Sequence, residues 1–181
     1  LNLNNMLGEN PEYCSKIRQL NIEDVTNRRY KAVFLAGRWD YMYEKYGMDS
    51  IDSLFDTVDF VSENSEVVYL FEQPIYYKEN VSKHFLKKKI INGLGRELLR
   101  DDLKAKLTNE IVKNKFLHKH YKNVYFVSRD VIYGSEVHHD YNEEHLPYTY
   151  DKGHLSIVGS LTAAKNFKKS EIYKPLYEAI N

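Results

Sequence analysis

The chain is poor in the residues that would place it in several common classes. It has 181 residues and one cysteine, Cys14. A lone thiol makes no internal disulfide and no Cys-rich zinc site. No apolar run approaches the roughly 20 residues of a membrane-spanning helix. Charge of either sign is not in excess: 26 Lys and Arg balance 26 Asp and Glu. A strongly basic surface for nucleic acid is therefore not indicated. The Gly-x-Ser-x-Gly elbow of many hydrolases is missing as well. Tryptophan is scarce, with one residue, but tyrosine is not, with 16. A tyrosine ring can be buried while its hydroxyl stays wet. The excess fits a sugar-facing surface or simple compositional drift.

Three short apolar runs stand out. They are Ala32 to Ala36, Glu66 to Phe71 and Asn123 to Val127. Each is nearly unbroken and rich in β-branched and aromatic residues, the pattern of strands buried on both faces of a parallel sheet. Helical periodicity lies between them. Ile51, Leu54, Phe55 and Val58 are spaced three and four apart over Asp49 to Val61, with Asp49 or Ser50 placed to cap that helix. Ser82 to His120 is long and is broken into two helices near Gly93 and Gly95. A last helix is expected over Ile157 to Phe167 with Ser156 as its N-cap. Strands alternating with helices predict one α/β layered domain over residues 1–181. No repeat or linker divides it.

In such folds chemistry gathers at the carboxyl ends of the strands. Two residue groups fall there: Gly37-Arg38-Trp39-Asp40 after the first run, and Asp151 to His154 after the third. A carboxylate three residues before a histidine, in a turn, can orient the imidazole and stabilise its charged form. Asp-x-x-His alone is too common to decide function. His138, His139, Asp140 and His145, with Asp151 and His154, suggest a metal cluster, but their spacing fits no defensible ligand motif. Lys87, Lys88 and Lys89 read as a solvated helix face rather than a phosphate site.

The longer string Asp151-x-x-His154-Leu155-Ser156-x-x-Gly159 is more specific. With "VFLAGRW" upstream and "VVYLFEQPIYY" between, it resembles the SGNH/GDSL hydrolases. More narrowly, it resembles the SGNH domain fused to membrane acyltransferase-three proteins, which acylate cell-surface glycans. The likeness runs from about Cys14 to Phe167. It implies a flavodoxin-like three-layer fold with a parallel sheet. It also implies a Ser-His-Asp site for acyl transfer, as an O-acetyltransferase or esterase on a surface polysaccharide. His154 would be the general base and Asp151 its orienting carboxylate. Gly37, Arg38 and Trp39 would lie on the oxyanion and substrate side. No cofactor or metal is implied. The implied partners are an acyl donor, a glycan and a membrane acyltransferase domain in the same polypeptide. The implied setting is extracytoplasmic (periplasmic), tethered to the inner membrane.

The chain departs from the family at its nucleophile. The Gly-Asp-Ser block expected before "VFLAGRW" is not there, and Ser15 is the one serine in that stretch. Gly47-Met48-Asp49-Ser50 is its nearest mimic, at a helix start. The chain opens on Leu1, so the expectation is an N-terminally incomplete domain whose first strand and serine lie upstream. The alternative is an inactive glycan-binding or interaction domain derived from the same fold.

Overall fold

The computed structural model describes residues 11–74, 76–90, 103–134, 141–142 and 146–181. Helix α1 spans Pro11–Arg28 and leads to strand β1, Ala32–Leu35. Helices α2 (Trp39–Tyr46) and α3 (Met48–Glu63) follow, then β2, Val67–Phe71. Helices α4 (Val81–Ile90) and α5 (Leu103–Lys119) precede β3, Val124–Val127. The chain closes with α6 (Arg129–Tyr133), α7 (Ile157–Lys169) and α8 (Tyr173–Ile180). The three strands form a parallel sheet in the order β1-β2-β3. The α/β class and the parallel pairing are those the apolar runs predict.

Side chains alternate across β2, so one strand feeds two cores. Val68 and Leu70 pack with Ile51, Phe55 and Val58 of α3 and Val112 of α5. Val67 and Tyr69 face the other way, toward Ile132, Tyr133 and Tyr148, with Phe167 of α7 and Leu176 of α8 packed alongside. The Tyr69 hydroxyl donates to the carbonyl of Ile172 at 2.8 Å, so its polar end is satisfied inside the layer. Helices therefore cover both faces of the sheet.

Burial on both faces holds for β2 and fails for β1. Val67 to Leu70 are buried throughout, whereas β1 is only partly buried and Phe34 is 50% exposed. The reason is position. β2 has a strand on each side, and β1 has one neighbour among the described residues. Phe34 covers what it can by stacking on Tyr69, at 5.3 Å between ring centroids.

Two local expectations need correction. The helix after Gly47 begins at Met48, with Gly47 itself at the N-cap, so neither Asp49 nor Ser50 caps it. Gly47 has φ of 61°, a conformation that costs glycine little, and the same residue ends α2 and starts α3. Ser50 is buried within the first turn and donates to the Gly47 carbonyl at 2.7 Å, which removes it as a nucleophile. Four helices, α1, α2, α6 and α8, were not signalled by periodicity. The apolar residues of α1 are scattered round its axis, leaving no stripe to read. Gly93 and Gly95 lie outside the described residues.

Phe55 is 1% exposed at the centre of the first core. A Phe55→Ala change is expected to cost about 3–5 kcal/mol of stability, measured by urea unfolding. A loss below about 1 kcal/mol would contradict this packing.

Candidate active site at the carboxyl ends of the strands

The site is built around a turn. Asp151 Oδ1 accepts the backbone N–H groups of Gly153 and His154, both at 2.8 Å. This is the self-bonded turn that aspartate favours. It fixes the carboxylate so that Oδ2 meets His154 Nδ1 at 2.7 Å. The turn is closed by Tyr150 N–H to the His154 carbonyl at 3.1 Å and by an antiparallel bridge from Thr149 to Leu155. Burial pushes the Asp151 carboxyl up, but the two backbone N–H bonds and His154 outweigh it and hold it down at about 2. A carboxylate at Nδ1 favours the tautomer with hydrogen on Nδ1, which leaves Nε2 with a free lone pair. The His154 side chain is 80% exposed.

Behind this turn, Ser156 caps α7 as expected. Its Oγ accepts from Gly159 N–H at 3.0 Å and donates to the Pro147 carbonyl at 2.7 Å. Both capacities are used, so Ser156 is structural. Gly159 is there because of close approach: a Cβ would lie 2.1 Å from the Tyr148 carbonyl oxygen. The string from Asp151 to Gly159 thus divides into a chemical half and a packing half.

The turn rests on the segment after β2. Tyr77 N–H donates to the Lys152 carbonyl at 2.8 Å, Val81 N–H to Asp151 at 2.9 Å, and Ser82 N–H to Tyr150 at 3.0 Å. Ser82 Oγ also donates to the Tyr150 carbonyl. The first N–H groups of α4, which have no partner within the helix, are met by the turn's carbonyls.

Gly37, Arg38, Tyr76, Asp151 and His154 line one open cavity of about 620 Å³. Arg38 is bound bidentately by Asp40, Nε to Oδ1 at 2.8 Å and Nη2 to Oδ2 at 2.9 Å. That hydrogen bond raises the Arg38 guanidinium above its ordinary value. Burial pushes the Asp40 carboxyl up, and Arg38 together with the Tyr41 N–H overrides it, leaving it below the usual carboxylate range. The guanidinium also lies over the Tyr76 ring, 4.0 Å from its centroid. Asp40 is held in turn by its own N–H, which donates to Oε1 of the buried Gln73 at 2.6 Å.

Trp39 is not brought into this cavity. It opens α2, which turns its indole toward the first core, where Nε1–H donates to the Phe71 carbonyl at 3.0 Å. Gly37 is required beneath it, because a Cβ there would lie 2.8 Å from the indole. Trp39 instead borders a separate apolar cavity of about 200 Å³ with Leu35 and Leu54.

Sequence reasoning missed the roles of Asp40 and Tyr76. Two adjacent tyrosines gave no sign of which is buried; Tyr77 is 1% exposed and Tyr76 faces the cavity. Among the described residues lining the cavity there is no Ser, Thr or Cys. No group of three or more His, Cys, Asp or Glu able to hold a metal occurs among the described residues. His138, His139, Asp140 and His145 lie outside them, as do the side chains of Lys87, Lys88 and Lys89. No described helix is long and apolar enough to cross a membrane.

Two outcomes follow from the turn. Gly159→Ala should destabilise the domain by about 1–3 kcal/mol, since the methyl meets backbone rather than a movable side chain; an unchanged urea midpoint would contradict the close approach. Asp151 has its folded pKa below the ordinary 3.8, so its contribution is present above that value and is lost as pH falls toward about 2. The stability gap between the native chain and Asp151→Asn should close over that window in urea titrations. A gap that stays constant across it contradicts the pairing.

The pattern of one protein family, described as SGNH domain (fused to AT3 domains), matches residues 3–169. No curated protein and no solved structure matches the chain. The family carries an acyl-transfer or esterase-like class of chemistry, and the family match spans the sheet, the cavity and the Asp151–His154 turn. The chain belongs to the SGNH domains of the kind fused to AT3 domains.

Proposed function

We propose that this chain supplies the histidine–aspartate half of a serine acyl-transfer site acting on a cell-surface polysaccharide. One observation carries the reading. His154 Nδ1 is occupied by Asp151 at 2.7 Å beside an open cavity that Arg38 also lines, which leaves Nε2 as the ring nitrogen available to a nucleophile. A base oriented in this way needs a nucleophile to deprotonate, and no Ser, Thr or Cys lines the cavity among the described residues. In this reading the serine comes from the family's Gly-Asp-Ser block, which the 181 residues lack, carried on a further strand laid beside β1. All four β1 residues are apolar, and the strand carries none of the charges or prolines that protect a solvent-facing edge.

The reaction then proceeds in two transfers. The serine oxygen attacks the acyl carbonyl carbon, and His154 Nε2 takes the hydroxyl proton. The tetrahedral oxyanion is held near Gly37, where Arg38 presents its fixed positive charge. Collapse breaks the bond to the leaving group, which receives the proton from His154. The acyl-serine is next attacked by a sugar hydroxyl or by water, with His154 again taking the proton. A second collapse releases the product and returns that proton to the serine. Asp151 stabilises the imidazolium at each step without being protonated itself. The setting is extracytoplasmic, beside a membrane AT3 domain that provides the acyl group.

In the complete domain, His154→Ala should lower turnover of an activated acyl ester by at least about 10³-fold. Turnover within a few fold of native would sink the assignment.

A further inference from the structure

Two parts of the site meet the ring of Tyr76, and the next residue ties its segment to the turn. On the β1 side, Arg38 lies over it at 4.0 Å from the ring centroid, and Arg38 is itself pinned by the buried Asp40. On the turn side, Gly153 faces it with no room for a side chain: a Cβ at that position would be 2.8 Å from Tyr76 Cδ2 and 3.2 Å from Cε2. Along the chain, the next N–H, that of Tyr77, holds the Lys152 carbonyl at 2.8 Å. Gly153 is also one of the two N–H donors that fix the Asp151 carboxylate. Movement of the ring therefore moves the donor that aims Asp151 at His154.

We propose that Tyr76 is the positioning residue of the dyad, its ring clamped by Arg38 and bearing on Gly153 so that Asp151 Oδ2 stays within reach of His154 Nδ1. Arg38 and Asp40 then act through it, linking the buried end of the sheet at Gln73 to the turn. The positioning role follows from geometry alone. Only its effect on turnover rests on the acyl-transfer reading above. The two contacts that carry this role are made to the ring's face and edge; the Tyr76 hydroxyl hydrogen-bonds with Arg38 in addition.

The test reads the protonation of the His154 ring nitrogens by ¹⁵N NMR in the full chain, with Asp151→Asn as the reference for a broken dyad. The native ring should carry its hydrogen on Nδ1. Tyr76→Ala should shift it to Nε2, as Asp151→Asn does, while Tyr76→Phe keeps the native state. Gly153→Ala drives a methyl into the ring and should act like Tyr76→Ala; it decides the matter if Tyr76→Ala does not fold. A native tautomer in both Tyr76→Ala and Gly153→Ala overturns the proposal. In the complete domain, Tyr76→Ala should also lower kcat about 10²-fold, the scale expected for a misplaced catalytic group, with KM little changed. A tautomer shift with full turnover would leave positioning intact and defeat the acyl-transfer reading. Lost turnover with the native tautomer would defeat positioning.

Discussion

Everything at this site depends on one carboxylate. Asp151 accepts two backbone N–H bonds from its own turn and one contact from His154, using both oxygens. The first two make the turn, and the third gives the turn a chemical use. An exposed histidine would otherwise sample many rotamers and both tautomers. Here a short turn removes that freedom at modest cost, since the backbone that orients the aspartate is the same backbone that carries the imidazole. The turn is in turn seated on the N–H groups at the start of α4, so the sheet and the dyad share one support.

The sheet explains why the site lies where it does. β2 is the buried centre, and the segments leaving β1 and β2 deliver Arg38, Gln73 and Tyr76 to one end. Most buried polar groups there are tied together, although Gln73 Nε2 has no hydrogen-bond partner among the described residues. Asn109 bridges Gln73 N–H and Glu72, and Arg129 Nε donates to the Gln73 carbonyl at 2.8 Å. Such a network costs desolvation, and most of its members recover it through hydrogen bonds. It reaches the cavity through Gln73, whose Oε1 accepts the Asp40 N–H, and Asp40 in turn holds Arg38.

Much of this was readable beforehand, for identifiable reasons. The strands announced themselves because a parallel strand is apolar on both sides, and β2 meets that condition fully. The Asp151–His154 pair was readable because its geometry is local, set within four residues. Ser156 as a cap was readable for the same reason. What escaped was non-local. Nothing in the sequence brings Arg38 to Tyr76, since that contact needs the pairing of β1 with β2. Trp39 sits beside Gly37 and Arg38 in sequence, yet the start of α2 rotates it into the core. The α1 helix escaped because its apolar residues form no stripe. Ser50 lies buried within the first turn of α3, because the N-cap falls at Gly47, two or three residues before the polar residues that suggested it.

The most direct test of the central claim is covalent. The full-length protein would be treated with a fluorophosphonate, which traps a serine activated by a neighbouring histidine, and the labelled residue mapped by mass spectrometry. The account predicts one modified serine outside this 181-residue chain, with labelling slowed strongly by His154→Ala. Label on a serine within the chain, or labelling indifferent to His154, would contradict it.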